Sequence, residues 1–210
     1  IALGGGGGEG SCSSSGGRGG GNLHLAADTL VVNGQIVASG QAAAAGGGGA
    51  GGGGGGGGTI PIRATTLQGN GNIVADGGNG GAGGGGGGMV RVDVQQNAFA
   101  GLLRAAGGAG SAAGQPGTIN VVDSTDHTLV VAGGTYVIDE SDSFTTITLG
   151  TAGNLVIAGA AHVDDPIVIS TGAQVTLASS DALDDIVLDP NIAGTLRVDQ
   201  PISVPSDVVL

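Results

Sequence analysis

Lysine is absent from this chain, tryptophan is absent, and cysteine occurs once. Each absence removes a class of function. Without Lys the glycine runs cannot hold a Walker-type phosphate loop, whose lysine reaches the terminal phosphates. Five Arg stand against seventeen Asp and Glu. That balance lacks the basic footprint that nucleic acid or an anionic membrane surface attracts. Cys12 alone cannot form an intramolecular disulfide, and it lies in a serine-rich stretch where no catalytic partner is evident. Phe99, Tyr136 and Phe144 are the only aromatics, too few for a conventional core of large rings or for a sugar-binding platform. No apolar run reaches the roughly eighteen residues of a membrane span. The chain starts at Ile1 and ends on Val208, Val209 and Leu210, which reads as an excerpt of a longer protein.

What is present is glycine, 50 of 210 residues. Solid runs such as 51–58 and 83–88 have no strict third-residue glycine period, so the chain is not collagen. Only seven glycines follow Gly117. The apolar content is Val, Ile, Leu and Ala, which suits a thin layered core repeated along an axis.

Between the glycine runs a repeat is visible. Leu23 to Ile36, Ile60 to Ile73 and Val90 to Leu103 are each 13 residues apart. Leu23 to Leu30 and Ile60 to Leu67 are each 7 apart. A fourth copy opens at Thr118, Ile119, Asn120 and Val121. Asn33-Gly34 and Asn70-Gly71 mark equivalent corners, and Asn-Gly is a strong turn former. The interval between copies varies, 37 from Leu23 to Ile60 but 30 from Ile60 to Val90, and the glycine stretches absorb the difference. Fixed coils with elastic insertions on one face are the mark of a solenoid. Period-2 alternation turns Leu23, Leu25, Ile60, Ile62, Val90 and Val92 inward, and His24, Pro61, Arg91 and Asn120 outward. Pro61 cannot donate to a ladder, so pairing weakens there or the strand starts there.

The later sequence keeps the rhythm without the loops. Leu155 to Val175 is 20 and Val175 to Leu196 is 21. Ile147 to Ile167 and Ile167 to Val187 are 20 each, and Val187 to Val208 is 21. The expected fold is all-β, a parallel β-solenoid (β-helix) with three short strands per coil. Stacked polyglycine loops mark its N-terminal half. Glycine-rich repeats occupy 1–122, and compact coils of about twenty residues, continuous with them, occupy 123–210.

Polyglycine has two readings. As a flexible linker it carries the highest backbone entropy. As loops leaving successive coils at one corner, a strand spacing apart, it can order by stacking into three-residue helices that only glycine allows. Equal placement of 16–21, 46–58, 77–88 and 107–117 in successive repeats favours stacking.

Asp164-Asp165 and Asp184-Asp185 stand one coil apart. They are candidate Ca²⁺ ligands, since hard cations take carboxylate oxygens. Paired carboxylates also do the work of glycosidases, several of which are β-helices. Solvated acidic corners that protect a sheet edge explain the pairs with the fewest assumptions, because dedicated calcium loops space their ligands more densely. Ranks of Thr for ice binding do not assemble beyond Thr146 and Thr148. His24, His127 and His162 fall in different coils. The G-x-S-x-G elbow is missing, so no nucleophile stands out and a non-enzyme is expected.

The stretches 21–38 and 57–78, the second holding Thr59-Ile60-Pro61-Ile62 and Gln68-Gly69-Asn70-Gly71-Asn72-Ile73-Val74-Ala75, resemble the glycine-rich repeats of large bacterial surface proteins. Those are β-helical adhesins of the filamentous-haemagglutinin or autotransporter type. The resemblance covers about residues 16–134 and implies an extracellular, cell-surface location. It implies an adhesive or fibre-forming role, with self-association or neighbouring segments of a longer chain as partners. It carries over no functional residue. A ligand-binding module for Ca²⁺, glycan or ice is the alternative, and a polysaccharide-degrading enzyme is further off.

Overall fold

The computed structural model describes residues 5–9, 15–44, 51–138, 142–159, 161–178 and 195–198. Among them there is no helix, and all nine strand pairings are parallel. The protein is all-β, with the parallel pairing that a β-solenoid requires. The chain divides into two compact units, Ile1–Ile119 and Asn120–Leu210.

In the first unit, β1 (Leu25–Val31), β3 (Thr59–Gly69) and β5 (Met89–Phe99) form one ladder. The three-residue strands β2 (Gln35–Val37), β4 (Asn72–Val74) and β6 (Leu102–Arg104) form another. The register follows the 13-residue frame. Ile60 faces Val90, Leu30 faces Leu67, and Ile36, Ile73 and Leu103 lie in one row. The expected first and second strands of each repeat, however, run together. β3 and β5 have eleven residues each, and the expected corner survives as one skipped ladder position, at Asp28, Thr65 and Gln95. A polar bend that keeps its neighbours in register does not need to end the strand. The Asn-Gly corners stack as well, Asn72 N–H donating to Gly34 O and Leu102 N–H to Gly71 O.

Pro61 lies inside β3, opposite Arg91. On its other side the ladder fails: Asn22 and Thr59 form an isolated bridge, and pairing resumes only at Leu25 with Ile62. The missing proline donor explains the gap.

Ile60, Ile62, Leu67, Ile73, Val90 and Val92 are buried as the alternation requires. Leu23 is not; it is 40% exposed, because its coil is the first of the ladder and pairs on one side only. Asn120 departs in the other direction. Expected on the wet face, it is buried, and its Oδ1 has no hydrogen-bond partner.

The second unit is built on β8 (Thr128–Ile138), β10 (Thr146–Ile157), β13 (Gln174–Leu177) and β14 (Thr195–Val198). β12 (Val168–Ile169) also pairs with β10, and β9 (Asp142–Phe144) pairs with β11 (Ala161–Val163). β7 (Thr118–Asp123) runs across the unit boundary. Leu155 faces Val175 and Val175 faces Leu196, so the twenty-residue spacing is a register spacing. A bulge opposite Ala132 takes up Gly150 and Thr151. Leu129, Val131, Ile147, Leu149, Leu155, Ile157, Ile167, Val175 and Leu177 pack into one apolar cluster around Phe144.

Candidate functional site: the glycine-rich face

In the first unit an outgoing segment follows each short strand, and a returning segment leads into the next long strand. The outgoing segments are 38–44, 75–81 and 105–110. The returning ones are 15–21, 51–58, 83–88 and 112–117. Within a coil the two run antiparallel: Gly55 and Gly58 N–H donate to Gln41 and Ala38 O, Gly85 and Gly88 to Gly78 and Ala75 O. The third coil repeats this, Gly114 and Gly117 donating to Gly108 and Ala105 O. Between coils like runs beside like: Gly17 and Gly20 donate to Gly53 and Gly56 O, Gly54 and Gly57 to Gly83 and Gly86 O.

The donors of 53–58 turn through three neighbours in order. Gly53 N–H goes to Gly8 O, Gly54 to Gly83 O and Gly55 to Gln41 O. Gly56 then goes to Gly5 O, Gly57 to Gly86 O and Gly58 to Ala38 O, all between 2.7 and 3.0 Å. The period is three residues. A chain with three residues per turn makes no hydrogen bond to itself, so its backbone groups must find partners outside.

Sterics explain the composition. A Cβ on Gly54 would lie 1.9 Å from Gly78 O, and one on Gly85 2.1 Å from Gly55 O. Gly57, Gly58, Gly77, Gly78 and Gly88 meet carbonyl oxygens at 2.1 Å or less. Real Cβ atoms do not approach so closely, so any other residue at these sites forces the neighbouring backbone to shift. Positions with room take side chains. Gly55 and Gly85 would clash with the returning segment before them, but Arg18, at the same position in the first described returning segment, is exposed. Gln41 relates in this way to Gly78 and Gly108, whose Cβ atoms would meet Gln41 O and Gly78 O.

The outgoing segments carry polar side chains along their open edge. Ser39 Oγ accepts the Asp76 N–H at 3.1 Å. Asp76 Oδ1 accepts the Ala106 N–H, and Asn79 Oδ1 the Ala109 N–H, each at 2.8 Å. Ser111 Oγ donates to Gly81 O or Ala82 O. Asp76 Oδ2 also holds Arg104, through Nε at 2.8 Å and through Nη2. That hydrogen bond, and then the carboxylate charge, raise the Arg104 pKa above its ordinary value. Ser39, Asp76, Asn79 and Arg104 border a shallow groove of about 450 Å³. Its two charged groups neutralise each other, and the Ser39 hydroxyl is engaged with the Asp76 amide.

The acidic pairs are placed in part. Asp164 and Asp165 are exposed, and Asp164 Oδ1 is 3.0 Å from His162 Nε2. Their backbone N–H groups continue the ladder to Phe144 O and Thr145 O. Asp184 and Asp185 lie outside the described residues. Among the described residues no group of three or more His, Cys, Asp or Glu is arranged to hold a metal ion, and no helix is long and apolar enough to cross a membrane. The expected ladder of carboxylates is thus represented by one exposed pair.

Sequence reading missed that each glycine insertion makes two antiparallel passes. It also missed that Ala38–Ala44, poor in glycine, is one of them. The signal was there in the third-residue spacing of Asp76, Asn79 and Ala82, and of Ala106 and Ala109. No protein-family model, curated protein or solved structure matches the chain.

Proposed function

We propose that this chain is a segment of an extracellular structural or adhesive β-solenoid protein, part of a surface fibre or a large adhesin. Its glycine segments act as an ordered packing layer of polyglycine helices bundled beside the coils. The observation that carries this reading is the rotation of the Gly53–Gly58 donors through three neighbouring segments. A flexible linker has no reason to satisfy its backbone in a fixed three-way order, whereas a bundle of three-residue helices must. The composition supports the same role. A Lys-free acidic surface stays soluble, and a repeated coil extends along an axis.

Two measurements test it. Amide hydrogen exchange should protect Gly54, Gly55, Gly57 and Gly85 as strongly as the β3 and β5 amides; exchange at the unprotected rate would remove the ordered layer. Electron microscopy of the full protein should show filaments or sheets. Small, non-associating particles would remove the fibre role.

A further inference from the structure

Asn-Gly occurs three times in the chain, at Asn33-Gly34, Asn70-Gly71 and Asn79-Gly80. The pair carries a reaction of its own. Glycine has no side chain to screen its nitrogen from the preceding asparagine Cγ, and the ring that closes is an unstrained succinimide. Attack needs two freedoms. The glycine N–H must be open to solvent, so that base can take its proton, and the carboxamide must be able to swing onto the nitrogen. An N–H committed to a ladder lacks the first, and a side chain held by hydrogen bonds lacks the second.

The fold withholds both freedoms at Asn79. Its Oδ1 accepts the Ala109 N–H at 2.8 Å, and Gly80 N–H donates to Ala109 O at 2.9 Å. At Asn70 it withholds the first. Gly71 is buried, and its N–H donates to Val32 O at 2.8 Å. A Cβ on Gly71 would lie 2.2 Å from Gly34 O, so this corner is packed tightly on the one before it. Asn33 is held in neither way. Asn33, Gly34 and Gln35 are all exposed, and the backbone bends there between β1 and β2. A Cβ on Gly34 would meet nothing within 4 Å. The Gly34 carbonyl accepts the Asn72 N–H, while its own N–H donates to no described residue.

We infer that Asn33 is a site of spontaneous deamidation, with water as co-reactant, and that coil stacking protects Asn70 and Asn79 from the same chemistry. Base removes the Gly34 amide proton, and the nitrogen attacks Cγ of Asn33. The N–Cγ bond forms, the Cγ–Nδ2 bond breaks, and Nδ2 leaves as ammonia with a proton returned to it. Water then opens the succinimide. Opening at Cγ leaves an aspartate. Opening at the main-chain carbonyl leaves an isoaspartate, whose backbone runs through Cγ and is longer by one methylene. Either product adds a negative charge to the corner, and the second also shifts Ile36 against its ladder partner Ile73.

Peptide mass mapping of the intact chain, held in mildly alkaline buffer and sampled over weeks, tests this; an isoaspartyl methyltransferase assay counts the isoaspartate. Asn33 should convert first, and Asn70 and Asn79 at least about tenfold more slowly, since each must first break a backbone hydrogen bond. In denaturant that protection is gone, and the three rates should converge. Gly34→Ala enters open space without a positive φ, so it should keep the melting temperature and slow the Asn33 reaction. An undiminished rate in that variant would remove Gly34 as the nucleophile. Equal rates at the three sites of the folded chain, or conversion of Asn70 or Asn79 ahead of Asn33, would overturn the inference. So would an order of rates that persists in denaturant, because the sequence and not the coil would then set it.

Discussion

The two units solve one problem with different materials. In the second, side chains fill the coil: Ile147, Leu149, Leu155, Ile157 and Ile167 are fully buried in a single cluster with Phe144. In the first, an apolar row of Ile60, Ile62, Ile73, Val90 and Val92 is joined by glycine-rich segments that carry few side chains. There the packing is backbone on backbone, and its specificity lies in hydrogen bonds instead of shape. The contrast shows that a protein interior needs close approach and satisfied polar groups; apolar side chains are one way to meet both conditions.

Substitution can break or sharpen that contrast. The largest effect is expected in the side-chain core. Ile147→Ala or Leu155→Ala leaves a cavity and should cost about 2–5 kcal/mol by denaturant unfolding. The glycine layer should respond to gain of atoms. Gly85→Ala drives a methyl into Gly55 O and should cost about 1–3 kcal/mol, as overpacking does. Gly86→Ala, one residue away, meets open space and should change stability by less than about 0.5 kcal/mol. Equal losses at both sites would erase the distinction between the layer's interior and its face.

Polar edge contacts come next. Asp76→Ala leaves the Ala106 N–H without its acceptor and should cost about 1 kcal/mol. Arg104→Ala removes a half-exposed partner of the same carboxylate and should cost under about 1 kcal/mol. Smallest of all, EDTA should leave the melting temperature unchanged. A drop on chelation would revive a calcium role for the acidic corners.

Much of the coil was legible because side chains record it. Ile36, Ile73 and Leu103 are in one row because each is the least exposed residue of a short strand. The 20- and 21-residue intervals through Leu155, Val175 and Leu196 mark the register for the same reason. The fused strands were not legible, since the polar corner at Thr65 looks alike whether a strand ends or bends. The course of the glycine segments was the hardest to read. Backbone hydrogen bonds leave no residue-type signature, and only the exceptions to glycine, Arg18, Gln41, Asp76 and Asn79, outline the packed volume. The Asp184 and Asp185 half of the acidic pattern falls outside the described residues, while Asp164 is engaged with His162.

The three-way order of donors along Gly53–Gly58 has a mechanical consequence. A β-sheet resists separation along one direction, that of its ladder, and its faces are held by non-directional contacts. Hydrogen bonds leaving one segment at three successive angles oppose displacement on every side of its axis. Shear applied to the coils from any transverse direction therefore loads some of these bonds in tension. The glycine layer would behave as a stiffening rib, and a pulled chain should yield first in coils that have none.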